Sequence, residues 1–132
     1  MSMRTLVSLD LETTGLDNER DAILEIGIVK FRGEEVLEEW SAVINPERPI
    51  PAKITELTGI TPAMVEMDGI KLWDGLTTAR DIAGSAPIIG HNIQFDLGFM
   101  RKHRQLEKNQ AIDTFELASI LVPHAGRYSL GA

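Results

Sequence analysis

RTLVSLDLE, residues 4–12, is the stretch that decides the fold, because its apolar and polar side chains alternate. Successive side chains of a β-strand point to opposite faces of the sheet. A strand here therefore places every second residue from Val7 to Leu11 on an apolar face. Asp10 and Glu12 project together from the opposite face, so the first strand of the core also carries a pair of acids.

Two further strands are predicted directly after the first one. Residues 23–31 are rich in β-branched and apolar side chains, RGE at 32–34 is typical of a turn, and residues 36–44 form a third strand-like segment. The short spacing between these segments predicts an antiparallel meander. Residues 45–51, NPERPIP, then end regular structure, because three prolines remove hydrogen-bond donors and restrict their neighbours.

The second half of the chain alternates short helices with very short strands, as turn-forming and helix-capping residues indicate. Helices are predicted at 52–58 before Gly59, from Thr61 and Pro62 onward, at 72–83, at 93–107 and from Thr114 to Leu121, and short strands at 87–90 and 111–113. No repeat or linker divides the sequence. Three meander strands followed by strands that alternate with helices predict a mixed α/β sheet flanked by helices, in a single domain over residues 1–132.

The composition is typical of one globular domain. The chain has 132 residues, of which 43% are hydrophobic and 25% are charged, and no apolar stretch is long enough to span a membrane. The N-terminus has no apolar segment typical of a signal peptide, so we predict a cytoplasmic protein without a membrane partner. Cysteine is absent and the three histidines are scattered, which excludes disulfides and thiolate zinc sites. Any metal would need carboxylate ligands.

The net charge of -7 has the wrong sign for a protein that holds nucleic acid by a general basic surface. It does not exclude a nuclease, because divalent cations bound by carboxylates supply positive charge locally. The position of the acids is therefore more informative than their number.

Asp10 and Glu12 are held close together on one strand face, where their repulsion is costly unless a cation lies between them. Three alternatives stay open at this point. The face is simply solvated, residues 10–21 form an EF-hand loop, or Asp10 is a phosphatase nucleophile. The EF-hand is disfavoured because strands, not helices, flank the segment, and the phosphatase because no second Asp follows at i+2.

A second group of polar residues follows the predicted strand 87–90. His91 and Asn92 either cap the next helix or donate to a phosphate or sugar. Asp96 falls in the first turns of that helix, where a carboxylate is favoured by the helix dipole even without a catalytic role. Phe95 is spaced as a core residue with Phe99, or its ring stacks on a base.

Four short motifs occur in order across nearly the whole chain. They are DLETTG at 10–15, LTGI at 57–60, GHN at 90–92 followed by Asp96, and IDT at 112–114. Together they resemble the DnaQ-type, DEDD-superfamily 3'-to-5' exonucleases. This family includes the proofreading epsilon subunit of bacterial DNA polymerase III, PolC exonuclease domains and the exonuclease region of DinG-type helicases. The NP loop at 45–46, LTGI and YSLG at 128–131 are most similar to the polymerase-associated and DinG-type branches.

The resemblance implies a ribonuclease H-like fold with a mixed five-stranded sheet. It implies that Asp10, Glu12 and Asp96 are catalytic metal ligands, for two Mg²⁺ or Mn²⁺ ions in the complete domain. Two such ions activate a water and stabilise the attacking and leaving oxygens of a phosphodiester. The implied substrate is the 3' end of single-stranded DNA, with RNA left open, and the implied partner is a polymerase or a fused helicase region. The substrate contacts implied by the resemblance are Thr13, Thr14, His91, Asn92 and Phe95.

The sequence departs from the family pattern at its C-terminal end. The third family motif supplies a catalytic histidine and, in one branch, a fourth carboxylate five residues later, and we do not assign the histidine to His124. We expect a chain cut before that motif, with impaired activity on its own. Glu25 is read as a supporting or solvated acid rather than a ligand, and Asp113 as a structural helix start. The alternative is a non-catalytic nucleic-acid-binding or assembly module that keeps the fold.

Overall fold

A computed structural model describes residues 4–114 as one six-stranded sheet with helices packed on it. The strands are β1 (Thr5–Thr13), β2 (Ile23–Arg32), β3 (Glu35–Asn45), β4 (Ile70–Lys71), β5 (Ile88–Gly90) and β6 (Ala111–Asp113). The helices are α1 (Ala52–Thr58), α2 (Pro62–Asp68), α3 (Leu72–Ala83) and α4 (Ile93–Lys102). No helix in this described part of the chain is long and apolar enough to cross a membrane.

The sheet has the order β4-β3-β2-β1-β5-β6. β1, β2 and β3 pair antiparallel as the predicted meander, whereas β5 pairs parallel to β1, β6 to β5 and β4 to β3. The predicted mixed sheet is confirmed, with one strand more than the five expected. The additional strand, β4, has only two residues directly before α3, which is too short to show any periodicity in the sequence.

The main core lies between the apolar face of β1 and helices α3 and α4, as the alternation in residues 4–12 predicts. Gly75 allows α3 to approach the sheet closely, because a Cβ there would lie 2.6 Å from Cδ1 of Ile44. A register shift in the β1–β2 pairing leaves Leu24 as an extra residue between Ile23 and Glu25. Leu24 thereby packs in a second cluster, with residues of α1 and α2.

Most helix boundaries agree with the sequence patterns. Gly59 ends α1 in the left-handed conformation, and the Thr61 hydroxyl accepts a hydrogen bond from the backbone N–H of Met64 at the start of α2. The prediction that α4 continues to residue 107 is wrong. Arg104 and Leu106 have positive φ angles of 61° and 59°, and this left-handed backbone ends the helix. The predicted helix from Thr114 to Leu121 lies almost entirely outside the described residues.

Candidate active site

The C-terminal end of β1 presents Asp10 and Glu12 on the face away from the main core, as predicted. Leu9 and Leu11 are buried, whereas Asp10 is exposed and Glu12 is half-buried. The backbone N–H of Val7 points toward β5, since it donates to the carbonyl of Pro87 at 3.0 Å. The N–H of Leu11 has the same orientation because strand residues repeat every two positions. It lies beyond the last β1–β5 pair, and is therefore available to a side chain.

Asp96 accepts that hydrogen bond from the Leu11 backbone and is thereby held beside the two strand acids. It lies in the first turn of α4 and is only 7% exposed. Burial, followed by the charges of Asp10 and Glu12, raises the pKa of Asp96 to about 7. The Leu11 hydrogen bond opposes this increase. The structure thus brings the three predicted acids into one electrostatically coupled group.

Glu25 contributes to the same group from β2, where it pairs directly opposite Glu12. Burial raises the pKa of Glu12, and the charges of Asp10 and Glu25 raise it further. The predicted supporting role of Glu25 is consistent with this position. The negative potential at this end of the sheet therefore comes from four carboxylates on three adjacent elements.

The acid group fits a divalent cation by its chemistry, because carboxylate oxygens are the donors that hard dications prefer. A positive ion would also offset the repulsion that raises the pKa values of Glu12 and Asp96. Within residues 4–114, however, no three Asp, Glu or His side chains form a group that could hold a metal ion as they stand. Asp10, Glu12 and Asp96 are electrostatically coupled, and their predicted role as ligands stays a prediction.

The loop after β1 is organised by the two threonines of the DLETTG motif. The Thr13 hydroxyl donates to the carbonyl of Gly15 at 2.6 Å. Thr14 is 9% exposed, and its hydroxyl donates to Oδ1 of Asp21 at 3.2 Å and accepts from the N–H of Ala22 at 2.9 Å. The Thr14 hydroxyl is thus occupied by contacts within the loop. The predicted substrate contacts of both threonines stay predictions.

Two cationic side chains from other parts of the chain donate hydrogen bonds to backbone carbonyls of the same loop. Lys102, at the end of α4, donates from Nζ to the carbonyl of Glu19 at 3.0 Å, and the guanidinium of Arg48 donates to the carbonyl of Arg20. Gly98 lets the loop approach α4, since a Cβ there would lie 2.8 Å from Nδ2 of Asn18. These tertiary contacts connect residues distant in sequence, and no local pattern indicated them.

Asn92 and Asp113 form the connection that begins α4. Asn92 is the N-cap residue in left-handed conformation, with φ 54° and ψ 45°, and its side chain makes no capping hydrogen bond. Its backbone N–H instead donates to Oδ1 of Asp113 at 3.2 Å. Asp113 therefore ends β6 and stabilises the turn through His91 and Asn92, whereas its expected role at a helix start stays a prediction. The β5–β6 register, which aligns Gly90 with Asp113, produces this contact.

Phe95 makes the core contact that was one of the two interpretations of its position in the sequence. It is half-buried against the main core, and its ring centroid lies 5.2 Å from that of Phe99 at an interplanar angle of 59°. The core contact is observed, whereas stacking on a base stays a prediction. His91 and Asn92 are both exposed at the same end of the sheet. Their predicted contact with the 3'-terminal residues also stays a prediction.

Comparison with known proteins identifies the family. The RNase T family model, described as exonuclease, matches residues 7–132. The PolC-type DNA polymerase III of Bacillus subtilis is 39% identical over 132 residues, and that of Clostridium perfringens 36% over 128. These matches cover 96% and 94% of this chain, which spans 9% of the length of each relative.

Solved structures share the fold. A product-bound exonuclease I matches with a TM-score of 0.78 at 17% identity, over 96% of this chain and 34% of that one. Exonuclease I from Methylocaldum szegediense matches with a TM-score of 0.76 at 20% identity, over 96% and 32% of the respective chains. The family model, which matches residues 7–132, shows that the chain belongs to the RNase T exonuclease family, and this confirms the exonuclease resemblance that its sequence motifs indicate.

Proposed function

We propose that this domain removes nucleotides from the 3' end of single-stranded DNA through the acid group at the end of β1. The observation that carries the proposal is the electrostatic coupling of Asp96, on α4, with Asp10 and Glu12, on β1, in an exonuclease-family fold. The fold itself does not require three carboxylates that repel one another at this position. Clusters of like charges with raised pKa values occur preferentially at functional sites.

The family generally uses divalent metal ions, and we propose Mg²⁺ or Mn²⁺ held by Asp10, Glu12 and Asp96. Bound ions would supply the positive charge that a phosphodiester and its attacking water require. The protein's own contribution is to position the acids. β1 carries the first two, and the Leu11 N–H donates a hydrogen bond to the third. Because burial and the neighbouring charges raise the pKa of Asp96 to about 7, this carboxyl is partly protonated at neutral pH and would release that share of a proton when a cation binds.

The substrate end is proposed to lie between the DLETTG loop and the turn before α4. In this arrangement Thr13 and His91 border the terminal nucleotide, and Asn92 and Phe95 lie next to it at the start of α4. The left-handed backbone of Asn92 forms the turn before that helix. Thr14 acts by holding the loop, since its hydroxyl is bonded to Asp21 and Ala22. On the other side of the proposed substrate position, the hydrogen bond from the Asn92 N–H to Asp113 stabilises the turn before α4.

The similarity to PolC-type polymerases supports a role in DNA replication, with a polymerase as the partner. Such a role implies the cytoplasm of a bacterial cell. RNA as the substrate stays an alternative that the assay below tests. A fused helicase region stays an alternative to the polymerase, and the encoded sequence around this domain distinguishes the two.

The test uses 5'-labelled single-stranded DNA and RNA of equal sequence. The assay is run on the 132-residue chain and on the longest natural form that contains it, with Mg²⁺, with Mn²⁺ and with EDTA. With the longest natural form we expect a descending ladder on DNA that requires metal and is lost in Asp10→Asn, and with the 132-residue chain we expect little or no cleavage. The control Glu66→Gln removes an equal charge from the exposed surface of α2. Cleavage in EDTA, or full activity of Asp10→Asn, would reject the proposed site.

A further inference from the structure

A groove of about 380 Å³ lies beside the loop after β1, on the side of the main core. Its floor is apolar, formed in part by Ile44 and Leu76, which are both fully buried. Its wall includes Trp73, from the first turn of α3, and the side chain is 61% exposed. We call this surface the Trp73 groove. An indole with that exposure beside a groove differs from the other described tryptophan, Trp40, which packs against the core.

The rim of the Trp73 groove carries three cations. Arg48 comes from the loop after β3, Lys71 from β4 and Lys102 from the end of α4. No ion pair formed within residues 4–114 involves any of them, although Arg48 and Lys102 donate to backbone carbonyls of the loop after β1. The chain as a whole has a net charge of -7, so a surface on which cations outnumber acids differs in sign from the rest of the protein.

Two acids, Asp21 and Glu47, also line the groove, so its five charged side chains leave one net positive charge. Asp21 also accepts hydrogen bonds from the backbone N–H of Asp17 and from the Thr14 hydroxyl. His103 lies in the same groove, and burial, together with the charge of Lys102, lowers its pKa. Its imidazole is therefore neutral at pH 7 and offers a hydrogen-bonding group.

An exposed aromatic ring beside several cations is the combination by which proteins bind single strands, with bases stacked on the ring and phosphates near the cations. We propose that the Trp73 groove binds a single-stranded polynucleotide, with a base on Trp73 and the backbone along Arg48, Lys71 and Lys102. The proposal rests on the proposed function, because it extends the path of the same substrate past the loop that borders the acid group. The competing occupant is an acidic protein segment, which would contact the cations but would not need the indole ring of Trp73.

The test is tryptophan fluorescence of the 132-residue chain, titrated in EDTA with oligodeoxythymidine and oligouridine of three and twelve nucleotides. EDTA prevents hydrolysis and separates this site from metal-dependent binding at the acid group. We expect the twelve-nucleotide strands to quench the fluorescence and to bind more tightly than the three-nucleotide strands. Trp73→Ala should lose the quenching and about tenfold in affinity. Trp40→Phe should keep both, and circular dichroism checks that each variant is folded.

The contribution of the cations is measured by salt dependence. Lys71→Ala should reduce the dependence of affinity on salt by roughly one phosphate contact. The control Lys30→Ala, at the opposite end of β2 from the groove, should not change it. Unchanged affinity of Trp73→Ala, or displacement of the strand by hexaglutamate at equal charge concentration, would overturn the proposal, the latter in favour of an acidic protein partner.

The failures of the two proposals are distinguishable. Trp73-dependent binding, without metal-dependent hydrolysis by the longest natural form that contains the chain, would support the groove and reject the nuclease site. Hydrolysis that requires Asp10, without Trp73-dependent binding, would keep the nuclease site and reject the groove.

Discussion

Replacing Asp96 with asparagine should stabilise the metal-free protein at alkaline pH. The amide keeps an oxygen that accepts the hydrogen bond from the Leu11 N–H and has nearly the same volume, but it carries no charge. Asp96 is 7% exposed, and burial and the charges of Asp10 and Glu12 raise its pKa from 3.8 to about 7. The folded protein therefore holds this proton more tightly than the unfolded chain does.

The sign of the pH dependence follows from this difference. Between about pH 4 and pH 7 the folded state binds more protons than the unfolded state, so the free energy of unfolding decreases as pH rises through that window. The ionised side chain costs the folded state about 4 kcal/mol above pH 7, at about 1.36 kcal/mol per pKa unit. Because the structure relaxes around the charge, we expect Asp96→Asn to gain about 2 to 4 kcal/mol at pH 8.

The assay is thermal melting in EDTA at pH 5 and at pH 8. The gain at pH 8 corresponds to a rise in Tm of roughly 5 to 15 °C for a domain of this size, and it should be much smaller at pH 5, where Asp96 is largely protonated. Glu66→Gln serves as the control because it removes one negative charge from an exposed position. Equal gains for the two variants, or destabilisation by Asp96→Asn at pH 8, would refute the electrostatic reasoning.

Three further substitutions test contacts around the site and in the core. Asp113→Ala should accelerate hydrogen exchange at the Asn92 amide and cost about 1 kcal/mol, whereas Asp113→Asn should retain protection; equal exchange in both would contradict the contact. Phe95→Ala should lower the free energy of unfolding by about 3 kcal/mol in urea, because the ring packs on the core, and an unchanged value would place the ring outside it. Gly75→Ala should cost about 1 to 3 kcal/mol in the same measurement, since its Cβ meets Ile44, and a neutral result would show that α3 shifts freely.

The sequence predicted the acid pair because its signal is local. Alternation in residues 4–12 is sufficient to place Asp10 and Glu12 on one face of β1, and the burial of Leu9 and Leu11 confirms that face. The predicted helix at 72–83 agrees with the observed α3, whose C-cap is Gly84. Features fixed by neighbouring residues were therefore accessible to sequence reasoning.

Features fixed by contacts between residues distant in sequence could not be predicted from local patterns. The hydrogen bond from Leu11 to Asp96 depends on where β5 ends relative to β1, and the contact between Asn92 and Asp113 depends on the β5–β6 register. The two-residue β4 forms only because the chain returns beside Ile44 before α3 begins. The sequence motifs indicated which acids matter through their resemblance to a family, and the fold shows how the acids are brought together.

The measurement that tests the central claim most directly is calorimetric titration of the protein with Mn²⁺ at pH 6.5, in two buffers with different ionisation enthalpies. If Asp10, Glu12 and Asp96 hold the catalytic cation together, binding should release part of a proton from Asp96, and Asp10→Asn should weaken it by about tenfold or more while Glu66→Gln leaves it unchanged. Equal affinity of Asp10→Asn and the native protein, or binding without proton release, would show that the acid group is not the metal site.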